Sequence, residues 1–259
     1  MASYLLVHGA WHGAWCWRHV EDLLRERGHE VCSVDLPGHG DNATPSYRIT
    51  LGRYSRCVQD AAAKMSRPPL LVGHSMGGVV ISQAAADAPG ICSGLIFVCG
   101  IIPVEGESIR GLVAMDRDSL LRTSVGFGTS GYHVKPSAAR ALFYGECSSA
   151  DATAATARLC SDPLLPLIQR HTVRHPLLVP KGYIESTRDR TITVEHQRAM
   201  ASRCRFTMRA SIATDHSPFL SAPRELAEHL HVMARLDESN VEPIDHAGQV
   251  SPKQLPTVA

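Results

Sequence analysis

Short apolar runs recur along the chain, separated by stretches whose apolar residues return every three to four positions. Tyr4–Val7, Glu30–Val34, Leu70–Val72, Leu95–Val98, Leu177–Glu185 and Phe206–Ala210 are brief and mostly apolar. That is the pattern of strands buried on both faces of a parallel sheet. Between the first two, Trp17, Val20, Leu23 and Leu24 share one helical face, and Gly28 stands where a C-terminal cap belongs. Thr50–Met65 predicts a second helix. Met76–Ala88, nearly all apolar or small, predicts a helix buried in the fold and closed by Pro89-Gly90. Thr193–Ala201 and Ala222–Arg235 predict two more, the last with Ser221 as N-cap and Pro223 in its first turn. Strands alternating with helices predict an α/β domain with a mostly parallel sheet.

The alternation breaks once. From Ile101 to about His175 no strand pattern stands out, and the segment is far longer than an unstructured loop. It holds a glycine-rich patch, Gly126 to Gly131, and helical stretches near Ala138–Tyr144 and Ala150–Leu159. The expected organisation is a core of residues 1–100 and 176–235, with a helical cap, 101–175, inserted over the sheet. Residues 236–259 carry three prolines and no apolar period, which predicts a disordered tail.

Composition narrows the classes. The 259 residues are 44% hydrophobic and 20% charged, enough for a sizeable core. Lys and Arg total 26 against 25 Asp and Glu, a net charge of +1, so no basic field serves nucleic acid or an anionic membrane. No basic, apolar leader opens the chain and no run is long enough to span a membrane. Eight cysteines without a Cys-x-x-Cys pair read as reduced thiols, and a cytoplasmic protein is expected. The 14 histidines raise the question of metal or acid–base chemistry. His171 and His175 are four apart, but Pro176 breaks any helix there and no third ligand is near, so no metal is expected. No phosphate-binding glycine motif follows a strand, and no cofactor is expected.

The decisive run is Leu70-Leu71-Val72-Gly73-His74-Ser75-Met76-Gly77-Gly78. A Gly-x-Ser-x-Gly between a strand and an apolar helix describes a tight turn that presents a serine hydroxyl at the sheet edge. A seryl nucleophile needs a base, and the base needs an acid to orient it. In this arrangement the acid and then the histidine follow the serine, each at a strand end. Among the later histidines only His216 closely follows a strand candidate. Asp189 lies past the end of Leu177–Glu185; Glu185 is its competitor, and Asp215 adjoins His216 too closely to orient it. Arginines flank Asp189, so a solvated ion-pair cluster is its alternative role. The oxyanion donors are expected at the backbone N–H groups of Met76 and Ala10, with Gly9 and Ala10 small enough to admit a substrate oxygen. Trp11 then lies at the substrate mouth, as a wall or a packing anchor.

His8-Gly-Ala-Trp-His-Gly-Ala-Trp-Cys-Trp17, Val34-Asp-Leu-Pro-Gly-His-Gly40, Gly73-His-Ser-Met-Gly-Gly78 and Asp215-His-Ser217 resemble the α/β-hydrolase superfamily. Within it the chain is similar to plant methylesterases, hydroxynitrile lyases and small bacterial pyrethroid-hydrolase-like esterases, over roughly residues 3–235. The resemblance implies an α/β-hydrolase fold with a helical cap and a cofactor-free site of Ser75, His216 and Asp189, with Ala10 and Met76 as donors. The lyases carry a threonine and a lysine where this chain has Gly9 and Ser217, which argues against lyase activity. The expected function is a serine carboxylesterase taking small hydrophobic esters, with Met115, Phe127, Phe143 and Trp11 as candidate substrate contacts. Its rivals are a ligand receptor on the same fold and a cofactor-free enzyme acting on C–C bonds or O2. The oligomeric state is not readable.

Overall fold

A computed structural model describes residues 1–129, 131–175 and 177–237. Its strands are β1 (Ser3–Val7), β2 (Glu30–Val34), β3 (Leu70–His74), β4 (Gly94–Val98), β5 (Val125–Gly128), β6 (Gly131–Val134), β7 (Lys181–Ser186) and β8 (Met208–Ile212). The α-helices are α1 (Arg18–Glu26), α2 (Leu51–Ala62), α3 (Gly77–Asp87), α4 (Ile109–Met115), α5 (Leu121–Ser124), α6 (Pro136–Phe143), α7 (Ser149–Thr156), α8 (Leu164–Ile168), α9 (Val194–Ala201), α10 (Pro218–Ser221) and α11 (Pro223–Met233). Six strands form one parallel sheet in the order β2-β1-β3-β4-β7-β8.

Every residue of β1, β3 and β4 is buried, and alternate side chains serve opposite faces. Tyr4 and Leu6 join Val72, Ile96 and Val98 in one apolar layer, closed by Val20 and Leu24 of α1 and Leu230 of α11. Leu5 and Val7 join Leu71, Leu95 and Phe97 in the other, beneath Tyr54 and Val58 of α2 and Val80 of α3. Two covered faces explain why these strands carry no polar alternation.

Five expectations need correction. β7 begins at Lys181 rather than Leu177, and β8 runs to Ile212 rather than ending at Ala210. Ser221 is not the N-cap of α11: Ala222 holds that position, while the Ser221 hydroxyl donates to Asp215 Oδ1 at 2.8 Å. The segment between β4 and β7 is not purely helical, because β5 and β6 form an antiparallel hairpin from the glycine-rich patch. Leu236, placed in the expected tail, packs into the core; positions 238–259 lie outside the described residues. The eight cysteines are free thiols. Among the described residues no helix is long and apolar enough to cross a membrane.

Candidate active site

The chain leaves β1 toward β2 on one side and returns as β3 on the other, so the loops after β1 and β3 open a crevice at the strands' C-terminal ends. Ligands of open parallel sheets bind at such a reversal. The register sets the two loops level, Val7 beside Gly73, and His74 beside Val98.

Between β3 and α3 the chain reverses through Ser75 and Met76. Ser75 has φ 52°, a left-handed conformation that costs a residue with a Cβ. Its N–H donates to the Val98 carbonyl at 3.2 Å, and its carbonyl accepts from the N–H groups of Gly78 (3.0 Å) and Ile101 (2.9 Å). A Cβ on Gly73 would lie 2.5 Å from the Gly77 carbonyl oxygen, so strand and helix meet more closely than a side chain permits. Ser75 is buried yet lines an apolar cleft over the sheet edge.

His216 follows β8 and Asp189 follows β7. His216 Nδ1 donates to Asp189 Oδ2 at 2.6 Å, and both side chains are closed from solvent. The other Asp189 oxygen accepts the N–H groups of Thr191 (2.7 Å) and Ile192 (2.9 Å), and Oδ2 also accepts Gln197 Nε2 at 3.1 Å. Four donors therefore converge on this carboxylate. The flanking arginines do not: Arg188 pairs with Glu146 at 2.9 Å and Arg190 is exposed. Glu185, still within β7, pairs with Arg198 at 2.7 Å. Asp215, whose pKa burial raises, accepts from the N–H groups of Glu146 (2.8 Å) and Ser217 (3.0 Å).

His74 joins the serine turn to the His216 loop. Its Nε2 donates to the His216 carbonyl oxygen at 2.7 Å, with the rings 4.7 Å apart. Burial, and then the neighbouring His216 and His12, push the His74 pKa well down, so the ring is neutral.

The loop after β1 is built on two further histidines. His8 Nδ1 donates to the Gly9 carbonyl at 2.8 Å while Nε2 accepts the Leu36 N–H at 3.1 Å. His12 Nδ1 donates to the Ala10 carbonyl at 2.8 Å while Nε2 accepts the Tyr144 hydroxyl at 2.9 Å. Burial lowers the His12 pKa to about 3 and holds His8 well below its ordinary value. Packing alone already requires glycine at position 9. Its Cβ would lie 2.7 Å from His74 Nδ1 and 2.8 Å from Ser75 Cβ. Among the described residues the N–H groups of Ala10 and Met76 donate to no protein acceptor, and both residues line the cleft beside Ser75.

That cleft has a volume of about 210 Å³, with Trp11, Val113, Leu121, Val125 and Leu167 among its walls and Arg110 and Arg122 also lining it. Of the predicted substrate contacts, only Trp11 belongs to it. Met115 and Phe127 are 64% and 63% exposed and are not among the residues that line it. Phe143 is buried behind the cleft, its ring 5.7 Å from Trp11 and 5.8 Å from His216. Gln197, Tyr144 and Asp162, which hold the site from behind, went unread in the sequence. None of them shares a local motif with the group it supports.

His74, Cys99 and His216 bring one potential metal ligand each within 4.8 Å of one another, all buried. This set suits a metal poorly. His74 Nε2 and the Cys99 thiol both point at the His216 carbonyl, and burial pushes the Cys99 thiol well up, disfavouring the thiolate.

A model of the alpha/beta hydrolase family matches residues 4–229, and the chain belongs to that family. Particular relatives narrow the neighbourhood. "Putative methylesterase 11, chloroplastic" of Arabidopsis thaliana is 30% identical over 250 residues, which is 90% of this chain; the chain spans 64% of that relative. "Pyrethroid hydrolase" of Sphingobium wenxiniae is 29% identical over 242 residues, 88% of this chain and 86% of the relative. Among solved structures, polyneuridine aldehyde esterase superposes with a TM-score of 0.81 at 23% identity, covering 90% of this chain and 99% of its own, a likeness of fold.

Proposed function

We infer that the protein is a serine carboxylic ester hydrolase for apolar esters. The observation that carries this reading is Ser75, held at φ 52° in a turn that lines the cleft, together with a buried His216–Asp189 pair whose loop is tied to the same turn through His74. The esterase and hydrolase names of its relatives support the same class.

In the reaction the Ser75 hydroxyl attacks the ester carbonyl carbon while His216 takes its proton at Nε2, leaving Nδ1–H on Asp189. The carboxylate fixes the tautomer and stabilises the imidazolium that forms. Charge developing on the carbonyl oxygen is met by the N–H groups of Ala10 and Met76, each worth about 3 kcal/mol in such a role. The C–O bond of the tetrahedral intermediate breaks, and the alcohol departs with the proton from His216. Water, activated by the same imidazole, then attacks the acyl-enzyme carbonyl and releases the acid. The apolar cleft walls favour hydrophobic acyl or alcohol groups over charged ones.

Ser75→Ala is expected to cut p-nitrophenyl butyrate hydrolysis by about 10⁴-fold or more. A fluorophosphonate should label Ser75 in the wild type and nothing in the variant. Activity surviving within about tenfold in Ser75→Ala would overturn the mechanism. Tight ligand binding without turnover would point instead to a receptor.

A further inference from the structure

The loop carrying Ala10 is anchored by a buried ion pair away from the reacting groups. His39 lies in the turn after β2, and Asp162 just before α8; their side chains are 0% and 1% exposed. His39 Nε2 lies 3.1 Å from Asp162 Oδ1, and Nδ1 lies 3.3 Å from the Pro37 carbonyl oxygen. Both ring nitrogens thus face oxygen acceptors, and only the doubly protonated imidazolium donates to both. The second Asp162 oxygen accepts the backbone N–H of Trp11, the residue after Ala10, which is held at φ 63°. The Asp162 backbone exchanges hydrogen bonds with Tyr132 at 2.7 and 2.9 Å, and the Tyr132 carbonyl also takes the Trp11 indole N–H at 3.2 Å. Asp162 therefore joins the β1 loop and the β2 loop through its carboxylate and the β5–β6 hairpin through its backbone.

The groups facing His39 leave it the titrating partner on the alkaline side. His8, 4.9 Å away ring to ring, and His12 are kept neutral by burial. Tyr54, whose hydroxyl is 3.5 Å from Nδ1, and the Cys57 and Cys160 thiols are pushed up by burial. Asp35 adds negative field that favours the imidazolium. Burial pulls the His39 pKa down, but the charge and hydrogen bond of Asp162, with the Pro37 carbonyl, outweigh it and hold the pKa above 6.5. The pair is therefore at full strength below 6.5 and is lost as pH rises through the raised value.

We propose that the His39–Asp162 pair positions the Ala10–Trp11 peptide, and that losing the His39 proton loosens that peptide and lowers turnover. The effect on turnover rests on the esterase reading; the effect on the loop does not.

All three tryptophans, Trp11, Trp15 and Trp17, lie on or beside this loop, so intrinsic fluorescence reports it without activity. The histidines stacked near Trp15 and Trp17, His12 and His74, titrate on the acid side. The wild type is expected to show a fluorescence step on the alkaline side of 6.5, coincident with a fall in kcat while KM stays within about twofold. His39→Gln keeps a donor for Asp162 but cannot titrate. Its step should vanish, its alkaline limb with it, and its kcat should fall about tenfold or more. Asp162→Asn keeps an acceptor for Trp11 and removes the charge, so the step should move to lower pH; it carries the test if His39→Gln does not fold. A wild type without the step, or a step unmoved in either folded variant, overturns the proposal. Should the wild type prove inactive on esters while the fluorescence behaves as stated, the esterase reading fails and the positioning pair stands.

Discussion

Gln197 shows how a single side chain far from the chemistry sets its geometry. It is buried on α9, and its amide nitrogen reaches Asp189 Oδ2 (3.1 Å), the Ser186 carbonyl (3.2 Å) and the Ile192 carbonyl (2.8 Å). Its Oε1 accepts the Ser186 N–H at 3.2 Å. Replacing it with Leu strands buried polar groups at about 1–3 kcal/mol each and frees the Asp189 oxygen that meets His216. Gln197→Leu should therefore lower both the melting temperature and kcat, measured by thermal denaturation and ester hydrolysis. Asp189→Asn is the sharper case. It should cost about 10⁴-fold in kcat, because the amide no longer selects the His216 tautomer, with the melting temperature far less affected. Ser75 and His216 were legible because a glycine-spaced turn and strand order mark them locally. Gln197 was not: a glutamine on an amphipathic helix carries no sign of the carboxylate it faces.

At the scale of elements, the central strands were readable because both their faces are buried, which leaves an uninterrupted apolar run. Reading failed where burial is one-sided. In β8, Arg209 and Ser211 are exposed at the sheet edge, and the expected strand end fell two residues short. The hairpin was hidden by its glycines, which read as loop. A Cβ on Gly126 would lie 2.7 Å from His133 Nε2, so glycine there makes room for a cross-strand ring. The same one-sidedness explains why Met115 does not line the cleft. On α4, Val113 faces the cleft, and Met115, two residues further round the helix, faces solvent. Val113→Phe should then lower kcat/KM for bulky esters about tenfold relative to p-nitrophenyl acetate, while Met115→Ala leaves both within about twofold. A reversed order of effects in that ester panel would show that the cleft wall has been assigned to the wrong face of α4.

Across the whole molecule, the histidine content becomes a prediction about acid stability. His8, His12 and His74 are fully buried, each has its pKa depressed chiefly by burial, and each is built into the fold as a neutral ring. In the unfolded chain they regain the ordinary value of 6.5. Below 6.5 the unfolded state therefore binds protons that the native state refuses, and stability falls as pH falls. Each such ring removes about 1.4 kcal/mol per pH unit, so three remove about 4. Set against a total of about 5–15 kcal/mol for a typical domain, that loss unfolds the protein within a few pH units. His39 does not add to it, since its raised pKa keeps it protonated in both states over this range. Asp215, raised by burial, opposes the trend between its ordinary value of 3.8 and its raised one. His29 and His171, also lowered by burial, act in the same direction as the three rings. Calorimetric unfolding near pH 5.5 in buffers of different ionisation enthalpy should thus report uptake of about three protons, falling toward zero near pH 8. Uptake below about one proton would mean that these rings are already charged in the native state. The tautomers that hold Ala10 and His216 in place would then have to be reassigned.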